Sequence, residues 1–411
     1  MAMEPCRKRK RIFFIITKSI DFQQIFPMAQ KELVKKVFFW IILIFNIVAV
    51  LLLLFSWLAG LVHPSISRLV VFCGLGFPYL LLINIAFVIA WLFIDYRFCL
   101  ISIAIILLNI NTIDKHFQFR GADVPENCPN SIKVLSYNAN LFGLYQDSDM
   151  GRRRADLQEI ISYLQGVNPD IACFQEFFWD KSETLNFHTK DQVLALMNIE
   201  ETPKHCYLYF TDTSQSKYYF GVAIFSKYKI VDAGPVLDDE SSNAIIYADI
   251  KFREDTVRVY NAHLSSIHMT ATDYAISKQL TTNAGQDPMF EKNAKKLYRK
   301  VADAAAIRQA QADSLRCHID VCPHPVIVCG DFNDTPAGYC YNTVARHLDD
   351  SFRKSGKGRG VTYHGSSMPN YRIDYILHSP CYLSYGYTVG KEMGISDHYP
   401  IVSTISLFKK N

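Results

Sequence analysis

The sequence predicts an α/β fold in which two packed, mixed β-sheets are flanked by helices, preceded by an N-terminal transmembrane helical region. Two observations lead to this prediction. Residues 37–110 are almost free of charge, whereas the chain after residue 111 has the composition of an ordinary soluble domain. From residue 131 onward, many short apolar runs alternate with segments of helical periodicity, and no repeat period or second globular domain is visible.

The uncharged part of the chain predicts three membrane-spanning helices. Residues 37–62 and 69–94 form runs long enough to cross about 30 Å of hydrocarbon. The second run contains two glycines and a proline, which membrane helices tolerate when neighbouring helices satisfy the freed backbone groups. A shorter run, residues 98–113, follows and is predicted as a third span. The middles of the runs carry no charge, which favours an anchor over an ion transporter.

The distribution of basic residues predicts the orientation in the membrane. Nine Lys and Arg residues precede residue 37, and one lies in the loop between the first two runs. The positive-inside rule therefore places the basic segment 1–36 in the cytoplasm. Three spans put the C-terminal domain outside the cytoplasm, whereas two spans would put it inside. Met28 is an alternative start, because the residues before it show no structural pattern.

The charge and cysteine totals of the remaining chain argue against two classes of site. The first 27 residues hold six basic and two acidic side chains, which accounts for the whole net charge of +4. The rest is neutral overall, so its totals lack the basic excess typical of domains that bind nucleic-acid backbone, although they leave room for a local basic patch. No cysteine pair has zinc-site spacing, and Cys173 and Cys329 lie in apolar runs. We therefore expect buried free thiols rather than a zinc site.

The C-terminal domain, residues 131–411, follows a predicted linker at residues 111–130. It opens with a strand, a helix with apolar residues at helical spacing, and a second strand. A long helix rich in Ala, Lys, Gln and Arg lies later in the domain. In chain order the predicted strands are 132–137, 170–175, 221–225, 244–252, 256–263, 325–329, 372–377 and 401–407, and the predicted helices are 152–165 and 291–318.

Polar residues recur where these apolar strands end. Each such residue, taken alone, is commonly part of a turn or of a solvent-facing strand end. Their joint occurrence at six places favours one common site. The six elements are Ser-Tyr-Asn-Ala-Asn at 136–140, Gln-Glu at 175–176, Asn-Ala-His at 261–263, Gly-Asp-Phe-Asn at 330–333, Arg-Ile-Asp at 372–374 and Ser-Asp-His at 396–398.

This set of motifs resembles the endonuclease/exonuclease/phosphatase family, which includes DNase I-like nucleases, abasic-site endonucleases, inositol polyphosphate phosphatases and neutral sphingomyelinases. Gly-Asp-Phe-Asn and Ser-Asp-His, together with Gln-Glu, are its most specific elements here, and the resemblance covers residues 132–411. It implies a four-layer α/β sandwich. A membrane region ahead of such a domain looks like a membrane-anchored bacterial branch of the family.

The resemblance also implies a metal-dependent hydrolase of phosphate esters. Hard oxygen ligands suit Mg²⁺, with Mn²⁺ as an alternative. By similarity Glu176 is the principal metal ligand, and Asn138 and Asp397 complete or orient the shell.

Catalytic roles follow from the same resemblance. Asp331 orients or deprotonates the attacking water, and Asn333 holds the phosphate or the water by its amide. His398 and His263 hydrogen-bond the phosphoryl oxygens, and one of them protonates the leaving group. Asp374 pairs with His398, because a buried carboxylate fixes the tautomer of an imidazole and favours its charged form.

The sequence leaves the substrate open. Asn261 faces the same side of its strand as His263 and is a weaker candidate for phosphate contact. The loops 212–217 and 273–286 and the basic stretch 354–359 are candidates for substrate selection. A phosphodiesterase resembling an endonuclease is the leading interpretation. The alternatives are a sphingomyelinase- or inositol-phosphatase-like hydrolase of lipid headgroups and a non-catalytic module that binds a phosphate ligand.

The expected partners are the lipid bilayer, through the N-terminal helices, and a phosphate-ester substrate: nucleic acid, nucleotide or lipid headgroup. The sequence implies no protein partner.

Overall fold

A computed structural model of the chain describes residues 22–128, 130–145, 149–237, 243–267, 273, 290–365 and 369–407. The chain divides into two compact units. The helical unit consists of Met1–Leu53 and Tyr79–Leu107, and the sandwich unit consists of Leu54–Pro78 and Leu108–Asn411. The sandwich unit contains all the described strands and also the loop that joins the first two long helices.

The helices and strands are numbered in chain order among the described residues. The α-helices are α1 Phe22–Leu58, α2 Arg68–Leu75, α3 Phe77–Ile94, α4 Cys99–Leu108, α5 Ile110–His116, α6 Met150–Val167, α7 Thr189–Met197, α8 Phe290–Asp320, α9 Tyr339–Val344 and α10 Ser351–Ser355. The strands are β1 Ser131–Asn138, β2 Ile171–Asp180, β3 Cys206–Ser214, β4 Tyr218–Ser226, β5 Ile230–Pro235, β6 Ile245–Phe252, β7 Asp255–His263, β8 Val326–Asp331, β9 Asp349–Asp350, β10 Asp374–His378, β11 Leu383–Val389 and β12 Ile401–Ser406.

Two described helices are long and apolar enough to cross a membrane, Glu32–Leu58 within α1 and Phe77–Ile94. A third crossing would require Tyr96–Leu108 and Ile110–His116, which are bent by 59° to each other, to act as one broken span. The predicted second span at 69–94 is divided by the structure into α2 and α3. Pro78 lies in the first turn of α3, where its missing N–H costs no helical hydrogen bond.

A buried polar network joins the helices of the helical unit. Trp91 Nε1 donates to Asn46 Oδ1 at 2.9 Å, and Asn46 Nδ2 donates to Ser102 Oγ at 2.6 Å. Ser102 Oγ in turn donates to Asn84 Oδ1 at 3.3 Å. Such hydrogen bonds hold helices together in lipid, where no hydrophobic driving force acts between them. The network therefore suits a bundle of membrane helices.

Two six-stranded mixed sheets form the centre of the sandwich unit. The first sheet has the order β11-β12-β1-β2-β4-β3, and the second has the order β5-β6-β7-β8-β10-β9. Each sheet contains one parallel pair, β1 with β2 and β7 with β8, and its other neighbouring strands are antiparallel. The predicted pair of mixed sheets is confirmed.

Apolar side chains form three interior layers. Ile171 and Ile224 of the first sheet lie in one core cluster with Ile246 and Ile327 of the second sheet. Helices α6 and α7 cover the outer face of the first sheet. Helices α8 and α9 cover the outer face of the second sheet. The order helix, sheet, sheet, helix confirms the predicted four-layer sandwich.

The segment predicted as a linker, residues 111–130, packs against the sandwich. Gln118 forms an isolated β-bridge with Gly358, and Ala122 N donates to Ser355 O at 3.2 Å. The basic stretch 354–359, which the sequence offered as a substrate contact, therefore has part of its backbone occupied by this segment.

Strand register brings the polar strand ends to one edge of the sandwich. In the first sheet Asn138 pairs with Gln175, at the carboxyl end of the parallel pair. In the second sheet Asp331 pairs with both His263 and Asp374, because β10 begins where β8 ends. Backbone pairing alone thus places predicted site residues from distant parts of the chain side by side.

Candidate active site

Glu176 lies in an irregular part of β2. The register of β2 against β4 shifts between Phe174 and Phe177, and Glu176 has a φ of 48°. A positive φ costs a residue with a Cβ about 1–3 kcal/mol, and such strained positions cluster at functional sites. Asn138 Nδ2 donates to Glu176 Oε1 at 3.1 Å. Two of the three predicted metal ligands therefore lie in contact.

Asp331 Oδ2 is the atom on which side chains from both sheets converge. Asn138 Nδ2, from the first sheet, donates to it at 3.1 Å. His263 Nε2, from the second sheet, lies 3.8 Å away, and His398 Nε2 lies 3.7 Å away. His263 Nε2 is also 3.7 Å from Glu176 Oε1. The structure thus brings five of the predicted residues together within 4 Å contacts.

Asn333 orients the carboxylate of Asp331. Its backbone N–H donates to Asp331 Oδ1 at 2.8 Å, and its Nδ2 lies 3.2 Å from Asp331 Oδ2. The same Nδ2 donates to Leu264 O at 3.0 Å. Asn333 has a φ of 49°, a left-handed conformation that Asn adopts more readily than most residues. The tight turn after β8 therefore holds the Asp331 carboxylate by two groups of Asn333, its backbone N–H and its side-chain amide.

His398 and Asp374 form a buried ion pair. His398 Nδ1 lies 2.9 Å from Asp374 Oδ2, and both side chains are almost fully buried. The backbone N–H of Asp374 donates to Thr362 Oγ1 at 3.1 Å, which fixes the start of β10. Burial alone would lower the pKa of His398, but the charges of Asp374 and Asp331 raise that pKa to about 10. His398 is therefore an imidazolium at neutral pH, with both ring nitrogens as donors.

The pKa of the Asp331 carboxyl group lies above its ordinary value. Burial raises the pKa of Asp331 to about 6, although the positive charge of His398 opposes this rise. A pKa near the working pH is the property that a general base requires.

Two residues that the sequence did not single out connect the site. Ser396 Oγ donates to Asn138 O at 2.8 Å and accepts from His398 N at 3.0 Å, so it joins the first strand to the Ser-Asp-His turn. Asn140 N donates to Asn138 Oδ1 at 3.1 Å, and Asn140 Nδ2 donates to Asp397 Oδ1 at 3.2 Å. Both residues lie inside predicted motifs, but their polar side chains resemble ordinary turn residues.

Asn261 is placed differently from the prediction. Its side chain is fully buried, and its Nδ2 donates to Phe174 O at 2.8 Å and to Ala223 O at 3.0 Å. Its Oδ1 accepts from Gln175 Nε2 at 2.6 Å. The amide therefore joins the second sheet to the first instead of facing a phosphate. Strand alternation placed Asn261 on the correct face, but it could not reveal how deep that face is buried.

The donor set of the site fits a hard divalent cation. Carboxylate oxygens of Asp331 and Asp374 lie within 4.8 Å of each other, and Glu176 Oε1 and Asp331 Oδ2 both accept from Asn138 Nδ2, so a third carboxylate lies beside them. Asp374 Oδ1 is buried without a hydrogen-bond partner among the described residues. Carboxylate and amide oxygens are the ligands that Mg²⁺ prefers. Cys329, the cysteine nearest in sequence to Asp331, packs in the core between the two sheets.

Of the predicted variable loops, the structure describes 212–217, which comprises the last three residues of β3 and the turn that leads to β4. The loop 273–286 lies outside the described residues except for Asp273, which is buried beside Lys300.

Comparison with known proteins agrees with this geometry. Residues 135–398 match the model of the Endonuclease/Exonuclease/phosphatase family. Residues 36–116 match a second family model, described as a domain of unknown function. No curated protein matches the chain significantly.

Several solved structures are similar to part of this chain at low sequence identity. The human Nocturnin catalytic domain with bound sulfate is 17% identical, with a TM-score of 0.46, over 67% of this chain and 94% of that one. An endonuclease/exonuclease/phosphatase from Beutenbergia cavernae is 14% identical, with a TM-score of 0.42, over 68% and 72%. Sphingomyelinase C from Streptomyces griseocarneus is 18% identical, with a TM-score of 0.42, over 67% and 99%.

Proposed function

Because this chain belongs to the endonuclease/exonuclease/phosphatase family, we propose that it is a membrane-anchored, Mg²⁺-dependent hydrolase of phosphate esters, most readily of phosphodiesters. The observation that carries the proposal is the convergence of Asn138, His263 and His398 on Asp331 Oδ2 within 3.8 Å. A module that only binds phosphate is less well supported, because all six motif elements of the candidate catalytic site are intact in this chain.

In this proposal Glu176, Asn138 and Asp397 would hold the Mg²⁺ ion. When bound, the ion supplies positive charge that polarises the phosphoryl group and stabilises the charge of the transition state. Asn140 supports the outer part of the shell, because it donates to Asp397 Oδ1 and to Asn138 Oδ1. Such supporting contacts set the orientation of ligands.

Asp331 acts as the general base in the proposed reaction. Its pKa of about 6 leaves it largely ionised at neutral pH and still basic enough to take a proton from water. Asn333 holds the carboxylate by two hydrogen bonds, so the proton-accepting oxygen keeps a fixed direction. The water adds to phosphorus, the ester P–O bond breaks, and the proton is returned to the leaving oxygen.

His398 and His263 have different roles in the proposed reaction. His398, with a pKa of about 10, remains charged through turnover and stabilises the negative phosphoryl oxygens. Asp374 positions it from the opposite ring nitrogen at 2.9 Å. His263 lies 3.7 Å from Glu176 and 3.8 Å from Asp331, which makes it the proposed proton donor to the leaving group.

We also propose a multi-pass membrane location with a cytoplasmic N-terminus. Two apolar helices long enough to cross support the anchor. The catalytic domain is extracytoplasmic if the bent pair Tyr96–Leu108 and Ile110–His116 acts as a third span. Modification of single cysteines from either side of the membrane decides between two and three crossings.

The test of the proposed activity uses the full chain in detergent with bis-p-nitrophenyl phosphate, in Mg²⁺ and in EDTA. We expect Mg²⁺-dependent release of p-nitrophenol. Asp331→Asn should lower kcat by about 10²–10⁴, the usual contribution of a general base. Its matched control is Asp123→Asn, at an exposed carboxylate.

Full activity of Asp331→Asn, or wild-type activity that is unchanged by EDTA, contradicts the proposal. Thermal melts of both variants separate a loss of activity from a loss of fold.

A further inference from the structure

Arg372 is a buried cation that lies two residues before Asp374. Its guanidinium is almost fully shielded from solvent and pairs with Asp350, Nη2 to Oδ2, at 2.9 Å. The Asp350 carboxylate also accepts from Tyr341 Oη at 2.8 Å and from the backbone N–H of Phe352 at 2.9 Å. Asp350 thereby caps the amino end of α10 and holds Arg372 at the same time. Removing one partner of such a pair leaves an unpaired buried charge, which strongly destabilises a fold.

Three aromatic rings enclose the part of the Arg372 guanidinium that makes no hydrogen bond. Among the described residues, Nε and Nη1 of Arg372 are buried without a hydrogen-bond partner. The guanidinium carbon lies 4.5 Å from the ring centre of Phe352, 4.7 Å from that of Tyr375 and 5.5 Å from that of Tyr341. The faces of aromatic rings attract a cation at such distances. The rings therefore hold the Arg372 side chain in position where hydrogen bonds do not.

A second hydrogen bond of Arg372 goes to the carboxyl end of α5. Its Nη2 donates to Lys115 O at 2.8 Å. Lys115 lies in the last turn of α5, where backbone carbonyls have no partner within the helix. Basic side chains commonly satisfy such carbonyls. Lys115 Nζ in turn donates to Asn342 Oδ1 of α9 at 2.5 Å. Arg372 and Lys115 thus fasten the end of α5 to the sandwich by a backbone and a side-chain contact.

The segment that contains α5, residues 110–122, is called the strap here and belongs to the sandwich unit. Asp114 Oδ2 pairs with Arg353 Nη2 at 2.6 Å. Beyond α5, the backbone N–H groups of Gln118 and Gly358 each donate to the carbonyl of the other, at 2.8 Å. The strap is therefore held on both sides of Lys115, which keeps the Lys115 carbonyl at Arg372.

The chain around Arg372 leads directly to the strand ends of the candidate active site. Tyr375 Oη donates to Arg372 O at 2.9 Å and to Asp334 O, in the turn after β8, at 2.8 Å. The Cα atoms of Arg372 and Asp374 are at most about 7 Å apart, because one residue separates them. Asp374 Oδ2 lies 2.9 Å from His398 Nδ1. A shift of Arg372 is therefore transmitted to a hydrogen bond of the site.

We propose that Arg372 is a positioning residue for the Asp374–His398 pair and that the strap is a working part of the site, because its Lys115 carbonyl completes the surroundings of this arginine. Arg372 touches neither substrate nor metal in this proposal. It holds the start of β10, so that Asp374 meets the imidazole of His398 at hydrogen-bonding distance. An ion pair with only a structural role would stabilise the fold and leave the chemistry of the site unchanged. The kinetic part of the inference rests on the proposed function.

The first test separates positioning from stability in the full chain in detergent. Arg372→Met leaves the charge of Asp350 unpaired, so we expect a lower Tm. We also expect a kcat for bis-p-nitrophenyl phosphate about tenfold lower, with KM unchanged, because small misplacements of reacting groups are costly. The double variant Arg372→Met/Asp350→Asn removes the unpaired charge, so Tm should recover while kcat stays low. Arg372→Lys keeps a cation without the planar fork and should restore kcat in part.

The double variant also decides against the inference if the role is only structural. Recovery of kcat together with Tm in Arg372→Met/Asp350→Asn overturns the inference, and so does a wild-type kcat in Arg372→Met. The matched control is Arg346→Met, because Arg346 forms an ion pair with Asp320 in which both side chains are about half exposed. Tm and kcat of the control should equal those of the wild-type chain.

The second test loosens the strap. Gln118→Pro removes the N–H that donates to Gly358 O. Phe117 already has the extended backbone, φ −146° and ψ 127°, that a residue before proline prefers. We expect kcat to fall about threefold, as for mutations that act through a packed network. Amide hydrogen exchange of residues 372–378, measured by mass spectrometry, should become faster. The control is Glu126→Pro, at an exposed residue beyond the strap.

The exchange measurement needs no turnover, so it separates this inference from the proposed function. Unchanged exchange of residues 372–378 in Gln118→Pro contradicts the role of the strap whether or not the chain hydrolyses bis-p-nitrophenyl phosphate. Faster exchange with a wild-type kcat contradicts the role of the strap in positioning. A folded wild-type chain that hydrolyses nothing in Mg²⁺ overturns the proposed function, and the exchange result then still decides whether the strap is connected to β10.

Discussion

Replacing Asn261 by Ala is predicted to destabilise the sandwich without affecting substrate affinity. The amide donates to Phe174 O and Ala223 O and accepts from Gln175, all in a fully buried position. A buried group left unsatisfied costs about 1–3 kcal/mol. Loss of all three bonds is therefore expected to cost about 3–6 kcal/mol after partial relaxation. That is a large part of the roughly 5–15 kcal/mol that stabilises a typical domain.

The assay is a thermal melt of the full chain in detergent, together with KM for bis-p-nitrophenyl phosphate at a temperature where the variant is folded. For a domain of this size we expect Tm to fall by about 10 °C or more. The exposed amide variant Gln165→Ala should leave Tm unchanged. A normal Tm with a raised KM would refute the structural role and restore Asn261 as a phosphate contact.

Three further predictions concern the site. Asp374→Asn should lower kcat about 10²-fold with little change in KM, because His398 loses the charge that keeps it cationic; an unchanged kcat would contradict this. Glu176→Gln should raise the Mg²⁺ concentration needed for half-maximal activity at least about tenfold, measured by Mg²⁺ titration against Glu159→Gln at an exposed helical position. Ser396→Ala should lower kcat while Ser396→Thr partly restores it, because the hydroxyl joins Asn138 to His398.

Much of the sandwich could be predicted from apolar runs and their polar ends. The strands around the parallel pairs were predicted because they are buried on both faces and contain few polar residues, as in β8 with its six buried residues. The strands β3, β5, β9 and β11 were missed. They lie at or next to the edges of the sheets, where polar and half-buried residues weaken the apolar pattern.

The candidate metal ligands and catalytic residues could be predicted from the strand ends. Their burial and their hydrogen-bond partners could not be predicted in this way. The pairing of β8 with β7 and β10 places His263 and Asp374 on either side of Asp331. The motifs had already identified these three residues. The depth of Asn261 and the linking hydroxyl of Ser396 depend on how the two sheets pack. That packing is a long-range property that local sequence does not contain.

In the membrane region, too, local sequence could not predict how the segments pack. Hydropathy predicted apolar runs, but it merged α2 with α3, because no charged side chain follows Arg68 in α2. Its residues contact α8 and the segment after Asp331, so tertiary packing accounts for their apolar character as well as lipid does.

Hydrolysis of bis-p-nitrophenyl phosphate in ¹⁸O-labelled water tests the central claim most directly. The proposed mechanism predicts that p-nitrophenyl phosphate released by the wild-type chain in Mg²⁺ carries one ¹⁸O atom, detected by mass spectrometry. The same product should be nearly absent in EDTA and in folded Asp331→Asn. Label incorporation at the wild-type rate in that variant, or without a divalent metal, would contradict the assignment of this site as a metal-dependent phosphoesterase.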